Sequence, residues 1–342
     1  MADFLPLSLI TKLERRAADS LVQWGLPSRI PILVKYRENA VFRVVRGTGS
    51  FAGLRLHRPG YHDLQALQSE LVWMQALYRA GLPVPEPIET ESGELLVRVP
   101  CEGEGEDQFA DLLTWLPGTP LGETGKPLAW SPREQVDLFR KVGQTVARLH
   151  DQSDRWKAPK DFQRPHWNRD GLLGETPVWG RFWDCPLLSA SEREGLSALR
   201  ERLAKAMAAL EKRRHDYGLI HADLVRENIL VSDGEVSFID FDDAGHGYRM
   251  FDLATALLKN RSEPLFPALK DALIEGYRSV RPLSDAEVAT LPLFLTLRSL
   301  TYIGWIASRT EMPGAEVRLA RYYRDTMELA AAPDGEGAFL TA

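Results

Sequence analysis

The hydrophobic pattern of the chain changes partway along its length, and this change limits the folds that are open to it. Before residue 120 the apolar residues fall in short extended segments, at 30–35, 41–45 and 51–57, with turn-forming residues between them. From Ser131 onward, apolar residues recur at three- and four-residue spacing over long stretches. Strands followed by helices predict an α+β fold, in which a small antiparallel sheet precedes a larger, mainly helical part.

One helix is predicted within the first part. Its apolar residues lie on one helical face: Leu64, Leu67, Leu71, Met74 and Leu77. Gly81 and Pro83 follow as stop signals, and we expect this helix to pack on the sheet. Further along, Ser92-Gly93 lies between two short apolar segments and predicts a hairpin. We expect the first lobe to span residues 1–116.

The second lobe, 117–342, is predicted to contain two long helices. Each begins with a capping box, in which a serine and the glutamate three residues later bond reciprocally: Ser131 with Glu134, and Ser189 with Glu192. Between the helices, 151–188 is an aromatic-rich irregular segment that is longer than a connection needs, and such segments are often functional. After the second helix, Asp233-Gly234 marks another hairpin.

Charge and cysteine content exclude several classes of protein. The formal net charge of −6 gives no general reason to expect nucleic acid binding, and only a local basic patch would remain as an alternative. Cys101 and Cys185 are too few for a disulfide framework in 342 residues, and no signal-peptide pattern begins the chain, so we expect a cytoplasmic protein. The most apolar run, 291–307, carries Arg298 at its middle and is therefore predicted to be a buried helix rather than a membrane span.

The stretch 221–228, which reads His-Ala-Asp-Leu-Val-Arg-Glu-Asn, carries the clearest chemical signal. Phosphoryl transfer from a nucleotide needs a carboxylate near the acceptor hydroxyl and oxygen ligands for Mg²⁺. Because a hairpin brings its two ends together, Asp223, Asn228 and Asp240 are predicted to meet near one point. A turn-capping Asp and a strand-end Asn would explain the residues singly, but their joint spacing favours a catalytic site.

This stretch resembles the catalytic loop of the aminoglycoside phosphotransferase and choline kinase family, whose members are relatives of the protein kinases. Residues 36–43, 54–60 and 251–254 are similar to the subgroup that contains type II homoserine kinases and the bacterial stress-response kinase. The resemblance covers most of the chain. It implies a two-lobed protein kinase-like fold, with ATP and Mg²⁺ as cofactors.

The same resemblance implies roles for five residues. Asp223 would be the catalytic base, or the carboxylate that orients the acceptor hydroxyl. Asn228 and Asp240 would be the Mg²⁺ ligands. His221 would support the loop by hydrogen bonding, and Asp252 would hold the loop in place.

Glu70 needs a cation, because it lies at the edge of the helical stripe that faces the sheet, where an unpaired carboxylate is costly. In protein kinases a Lys of the third strand pairs with a Glu of this helix and holds the α- and β-phosphates. The aligned position here is Arg55, which keeps the charge but is not equivalent to Lys. The alternative interpretation places Arg55 on the strand surface and Glu70 on a solvated helix edge.

Further nucleotide contacts are implied by the resemblance. No glycine-rich loop lies between the first two strands, and Asn39, in the turn 37–40, would reach a phosphate through its amide. The hinge that would bind adenine through its backbone consists of Leu113, Thr114, Trp115 and Leu116. The alternative for this hinge is a plain edge strand.

Three residues are predicted near the transferred phosphate and the acceptor. Arg226 would either supply positive charge to the γ-phosphate or pair with its neighbour Glu227. Asp242 and Asp243 add carboxylates that suit an ammonium group on the substrate, although one of them could bind metal or cap a turn instead. The aromatic segment could close over a small cation or simply form core packing.

Three functional hypotheses follow. The first is an ATP- and Mg²⁺-dependent kinase of a small hydroxylated amine or amino acid. The second is a Ser/Thr protein kinase of the stress-response type, although only eleven residues separate Asp240 from Asp252, which is too few for an activation segment. The third is a nucleotide-binding module without transfer activity, for which Arg55 is the only argument. We expect a small molecule as the binding partner, and neither nucleic acid nor a membrane. The sequence does not predict an oligomeric state.

Overall fold

The computed structural model describes residues 6–27, 29–37, 39–47, 49–100, 106–212 and 216–331. Cys101, and Glu38 of the turn 37–40, lie outside these ranges. The chain divides into two compact units. The first comprises Met1–Gly118, Trp156–Arg164 and Ser237–Ile239, and the second comprises Thr119–Arg155, Pro165–Val236 and Asp240–Ala342.

The first unit is built on a five-stranded antiparallel sheet. In chain order its elements are α1 (Leu7–Ser20), a 3₁₀ helix (Leu21–Trp24), β1 (Ile32–Tyr36), β2 (Asn39–Gly47), β3 (Ser50–His57), α2 (Leu64–Arg79), β4 (Val97–Val99) and β5 (Gln108–Thr114). The strand order is β1-β2-β3-β5-β4. The predicted sheet and the predicted helix α2, which begins with the Asp63 side chain accepting a hydrogen bond from Ala66 N at 2.8 Å, are both confirmed.

Two helices, rather than the one predicted, belong to the first unit. Leu13 and Ala17 of α1 join the buried core of the sheet, together with Leu54 and Leu56 of β3. Since side chains alternate along a strand, Arg55 between those two leucines points the other way, towards α2. The first lobe therefore has a helix at each of the two faces of β3.

The hairpin predicted at Ser92-Gly93 is wrong. The turn itself forms: Gly93 has a φ of +87°, and the Thr90 hydroxyl accepts from Glu94 N at 2.9 Å. The segment before the turn is not a strand, because its backbone bonds elsewhere, with Ile88 N donating to Leu112 O of β5 at 2.8 Å. Thr90 N donates to Glu94 O at 2.8 Å across the turn, but beyond this bond both arms of the expected hairpin pair with β5, since β4 also lies against that strand.

The rest of the chain is mainly helical. The remaining elements are β6 (Thr119–Pro120), α3 (Pro132–Arg155), β7 (His166–Trp167), α4 (Arg169–Leu173), a 3₁₀ helix (Phe182–Asp184), α5 (Ala190–Lys212), β8 (Tyr217–Ile220), a 3₁₀ helix (Arg226–Asn228), β9 (Ile229–Ser232), β10 (Glu235–Phe238), β11 (Gly245–Tyr248), α6 (Arg249–Leu258), α7 (Phe266–Arg278), α8 (Asp285–Val288), α9 (Leu291–Ala307) and α10 (Ala315–Ala331). Two small sheets have the orders β10-β9-β6 and β7-β11-β8.

The local signals predicted for this region are present. Ser131 N donates to Glu134 at 2.8 Å and Ser189 N donates to Glu192 at 2.8 Å, so α3 and α5 both begin as predicted. Asp233 and Gly234 have φ of 51° and 74°, the two positive values that a tight two-residue hairpin requires.

The apolar run at 291–307 forms the buried helix α9, as expected. No helix within the ranges that the structure describes is long and apolar enough to cross a membrane.

Helices α3 and α7 approach each other through glycine. A Cβ added to Gly143 would lie 2.1 Å from the Leu273 carbonyl oxygen, and one added to Gly276 would lie 2.0 Å from the Arg140 carbonyl oxygen. Both distances are far inside van der Waals contact. The two backbones therefore pack at a spacing that no larger residue allows at these positions.

We predict that Gly143→Ala lowers the free energy of unfolding by about 1–3 kcal/mol, because the added methyl must push α7 away. The matched control is Gly195→Ala in α5, where a Cβ would meet only the Tyr323 hydroxyl at 3.6 Å. There the better helix propensity of Ala should raise stability by about 0.5–1 kcal/mol. Urea unfolding of both variants measures the difference, and equal stabilities would contradict the packing argument.

Candidate active site

Backbone strain marks the predicted catalytic loop. Ala222 has a φ of 65° and Asp240 a φ of 69°. Such left-handed conformations cost a non-glycine residue about 1–3 kcal/mol, and they concentrate at functional sites. Ala222 directly precedes Asp223, and Asp240 is itself the predicted metal-binding residue.

Asp252 holds the strained turn. Its two carboxylate oxygens accept from the amides of His221, at 2.9 Å, and Ala222, at 2.7 Å. His150 Nε2 lies 3.0 Å from Oδ2 of the same carboxylate, and both side chains are fully buried. Burial alone would raise the pKa of Asp252, but the bond from His150 and the backbone amides lowers it, so the carboxylate stays charged. Asp252 therefore supports the loop, in the role expected for it.

The structure brings Asp223 and Asn228 together. Asn228 Nδ2 donates to Asp223 Oδ2 at 2.8 Å and to the Asp223 carbonyl oxygen at 2.9 Å. With its amide nitrogen used in this way, Asn228 presents Oδ1 as the atom suited to a divalent cation. His221 is buried, and its Nδ1 accepts a hydrogen bond from Asp223 N at 3.3 Å. Asp240 lies two residues after the end of β10.

Arg298 is a site residue that the sequence analysis missed. It lies in the middle of α9, and its Nη2 donates to Asp223 Oδ1. Both oxygens of the Asp223 carboxylate are thus hydrogen-bonded, one to Arg298 and one to Asn228. The signal was present, because a buried arginine in an apolar helix needs an acidic partner. The sequence could not show that this partner is Asp223, the predicted catalytic residue.

Asp243 lies in an acidic cluster with Asp223 and Asp242. Burial, and then the charges of Asp223 and Asp242, raise the pKa of Asp243 well above its usual value. Two tryptophans of the aromatic segment contact this residue: Trp179 Nε1 donates to its Oδ1 at 2.8 Å, and Trp167 Nε1 donates to its carbonyl oxygen at 2.9 Å. A bound cation would relieve the repulsion within the cluster.

Arg226 does not pair with Glu227, which was one of the two alternatives. Its guanidinium is buried and donates to Asn260 Oδ1 at 2.8 Å, to the Lys126 carbonyl oxygen at 2.7 Å and to Glu263 Oε1 at 2.5 Å. Glu227 instead accepts from Thr124 N at 2.6 Å. These contacts hold the 3₁₀ helix that carries Asn228.

In the first unit, Arg55 and Glu70 form the expected pair. Arg55 Nη1 donates to Glu70 Oε1 at 2.7 Å, and the side chains are 6% and 0% exposed. The alternative of a surface Arg and a solvated Glu is therefore wrong. Asp111, which the sequence analysis missed, accepts from Arg55 Nε and Nη2 at 2.8 Å each. It lies directly opposite Arg55 in the β3–β5 register, a pairing that only the folded sheet reveals.

The Arg55 group is a buried charge network. His57 Nε2 lies 2.5 Å from Asp111 Oδ2, and Arg164 Nη1 lies 3.6 Å from Glu70 Oε2. Burial alone would raise the pKa of Asp111, but Arg55 and then His57 lower it below its usual value. The network therefore keeps the Asp111 carboxylate charged and fixes the plane of the Arg55 guanidinium.

The other residues expected to contact nucleotide also lie in the first unit. Asn39 is buried at the start of β2, opposite His57 in the register. Leu113 and Thr114 of the hinge end β5, and Trp115 and Leu116 follow it; because β5 lies between β3 and β4, the edge-strand alternative is wrong.

Part of the hinge backbone is already bonded within the protein. Thr114 N donates to Glu86 O at 2.9 Å and Trp115 N to Phe51 O at 3.4 Å.

Comparison with known proteins agrees with this geometry. Residues 32–285 match the Phosphotransferase enzyme family. The chain is 31% identical to an uncharacterised protein of Deinococcus radiodurans, over 77% of this chain and 73% of that protein. It is 33% identical to a homoserine kinase of Gluconobacter oxydans, over 65% of this chain and 66% of that protein. A solved microcompartment-associated aminopropanol kinase superposes with a TM-score of 0.78 at 29% identity, over 93% of this chain and 98% of that chain.

The support of the catalytic loop predicts a pH dependence of stability. Burial, and then the charge of Arg249, lowers the pKa of His150 to about 4 from its ordinary 6.5. The unfolded chain therefore takes up this proton first as the pH falls. The stabilisation is complete above pH 6.5 and is lost as the pH falls towards 4. The pKa difference implies a loss of about 2 kcal/mol between pH 7 and pH 5.

Urea unfolding of the wild type and of His150→Gln at both pH values measures this effect. The wild type should lose about 2 kcal/mol more than the variant, because Gln does not titrate. Equal losses in the two proteins would show that His150 is not the group responsible.

Proposed function

The chain belongs to the phosphotransferase enzyme family, and from that premise we propose that it transfers the γ-phosphate of ATP, with Mg²⁺, to a hydroxyl of a small amine or amino acid. One observation carries the proposal. The Asp223 carboxylate lies on a strained turn that Asp252 holds, and both of its oxygens are hydrogen-bonded by protein donors. A carboxylate fixed in this way is suited to orient a hydroxyl for attack on phosphorus.

On the acceptor side, Asp223 receives a hydrogen bond from the substrate hydroxyl and directs the oxygen lone pair towards the γ-phosphorus. As the new P–O bond forms and the bond to the ADP leaving oxygen breaks, the hydroxyl proton passes to Asp223. Positioning accounts for most of the catalysis in such transfers, because the protein does little covalent chemistry.

The residues present fit a magnesium ion. Asn228 Oδ1 and the Asp240 carboxylate would hold it, and both are the oxygen ligands that Mg²⁺ prefers. Mg²⁺ completes its shell with phosphate oxygens and water. Among the described residues, no group of three or more His, Cys, Asp or Glu is placed to hold a metal ion. The ion would neutralise the charge that develops on the phosphates.

Nucleotide binding is proposed for residues of the first unit. Arg55 would bind the α- and β-phosphates, with Glu70 and Asp111 fixing its guanidinium, and this bidentate geometry suits phosphate as well as carboxylate. Asn39 would contact phosphate, and the hinge Leu113 to Leu116 would bind adenine.

An amine-bearing acceptor is favoured by the acidic cluster of Asp223, Asp242 and Asp243. The pKa of Asp243 is raised because three carboxylates share a buried site, and an ammonium group would stabilise their charged forms. Homoserine and aminopropanol, the substrates in the names of two relatives, both carry an amino group and a hydroxyl. The short interval between Asp240 and Asp252 argues against a protein substrate. The complete set of Asp223, Asn228 and Asp240 argues against a non-catalytic module.

We predict that Mg·ATP and an amino alcohol or hydroxy amino acid release ADP, and that Asp223→Asn lowers this rate by roughly 10²- to 10⁴-fold without weakening ATP binding. The panel comprises homoserine, 1-aminopropan-2-ol, ethanolamine, choline and an aminoglycoside, a neutral diol matched to each simple amine, and a generic Ser/Thr protein. Asp233→Asn in the exposed hairpin turn is the matched control and should keep the wild-type rate.

The outcomes separate the three hypotheses. Preference for amines over their neutral diols, lost in Asp223→Asn, supports the proposal. Phosphorylation of the protein alone would favour the stress-response type, and tight ATP binding with no acceptor turnover would favour the non-catalytic module. A wild-type rate in Asp223→Asn would remove Asp223 from the mechanism.

A further inference from the structure

Arg298 occupies an unusual position for a charged residue. It is fully buried in the middle of α9, a helix that is otherwise almost entirely apolar. Three aromatic rings surround its guanidinium, with centroids 4.5 Å away for Trp179, 4.7 Å for Tyr302 and 5.9 Å for Phe251. Within the part of the chain that the structure describes, its only ion-pair partner is Asp223.

Stability does not explain this position. Removing a guanidinium from water is costly, and a buried ion pair is often no more stable than apolar side chains of the same volume. The remaining bonds of Arg298 are to neutral oxygens: Nη1 donates to Thr301 Oγ1 at 3.1 Å, and Nη2 donates to the Tyr302 hydroxyl at 3.4 Å. Its Nε is buried and has no hydrogen-bond partner among the described residues. Buried donors left in this state are unfavourable, and in native proteins they call for an explanation beyond packing.

We propose that Arg298 is the positioning residue for Asp223. It holds Oδ1 from α9, while Asn228 Nδ2 holds Oδ2 at 2.8 Å from within the catalytic loop. Two donors from separate elements fix both the position and the plane of the carboxylate. The carboxylate is thereby oriented towards the acceptor hydroxyl before the substrate binds. This inference rests on the proposed function, because it concerns the same carboxylate.

The aromatic rings explain why the residue is an arginine. A planar guanidinium stacks on ring faces and keeps one orientation, whereas a lysine ammonium is a point charge on a flexible stem. The positive charge of Arg298 also offsets the repulsion between Asp223 and Asp243. Arg298 therefore supplies a direction for the hydrogen bond as well as a charge.

A double-mutant cycle on kcat tests the proposal, with the best acceptor from the panel above. The four proteins are the wild type, Arg298→Met, Asp223→Asn and the double variant. Arg298→Met should lower kcat roughly 10- to 100-fold and leave KM for ATP unchanged, because it misplaces a correctly charged carboxylate. In the Asp223→Asn background the same change should have no further effect on kcat, since the group that Arg298 positions is gone. Arg298→Lys should recover only part of the loss.

Arg281→Met is the matched control. Arg281 also makes ion pairs in the second unit, with Asp151 and Asp216, and it has no contact with Asp223. This change should lower the urea midpoint and leave kcat near the wild-type value. It separates a general loss of stability from a loss of positioning.

Two results would overturn this inference and leave the proposed function standing. One is a wild-type kcat in Arg298→Met, and the other is an equal loss of kcat in the presence and absence of the Asp223 carboxylate. The second result would show that Arg298 acts only as a structural residue. If the wild type turns over no acceptor, the proposed function itself fails, and the positioning role fails with it. Wild-type turnover therefore distinguishes the two failures.

Discussion

The hydrogen bonds from the amides of His221 and Ala222 to the Asp252 carboxylate are the constraint on which the catalytic loop depends. They hold Ala222 in a left-handed conformation that it would otherwise leave, and Asp223 is the next residue in the chain. Asp252 can act in this way only as a charged group in a buried site, and the hydrogen bond with His150 lowers its pKa and so helps to keep it charged. The placement of the Asp223 carboxylate thus depends on Asp252 and His150, which lie on α6 and α3.

The sequence predicted the features that are encoded locally. The capping boxes of α3 and α5, the Asp233-Gly234 turn and the buried helix α9 are each read from residues within a few positions of one another. The pairing of Arg55 with Glu70 was also predictable, because an amphipathic stripe shows which helical face needs a cation.

Contacts between segments that are far apart in the sequence could not be predicted. Asp111 becomes the partner of Arg55 only through the β3–β5 register, and Arg298 meets Asp223 only because α9 packs beside the catalytic loop. The same limit explains the wrong hairpin at Ser92-Gly93: the turn chemistry was right, but the choice of strand partner is a property of the whole sheet.

The close packing of α3 and α7 at their glycines also bears on the support of the loop 221–228. Tyr277 follows Gly276 on α7, and its hydroxyl lies 2.9 Å from His150 Nδ1, while Nε2 of the same ring reaches Asp252. His150 lies on α3, two turns beyond Gly143. Its imidazole ring therefore connects Tyr277 of α7 with the Asp252 carboxylate that holds the loop. Glycine at 143 and 276 allows α3 and α7 to pack closely, and this packing places Tyr277 of α7 within hydrogen-bonding distance of the ring that contacts Asp252.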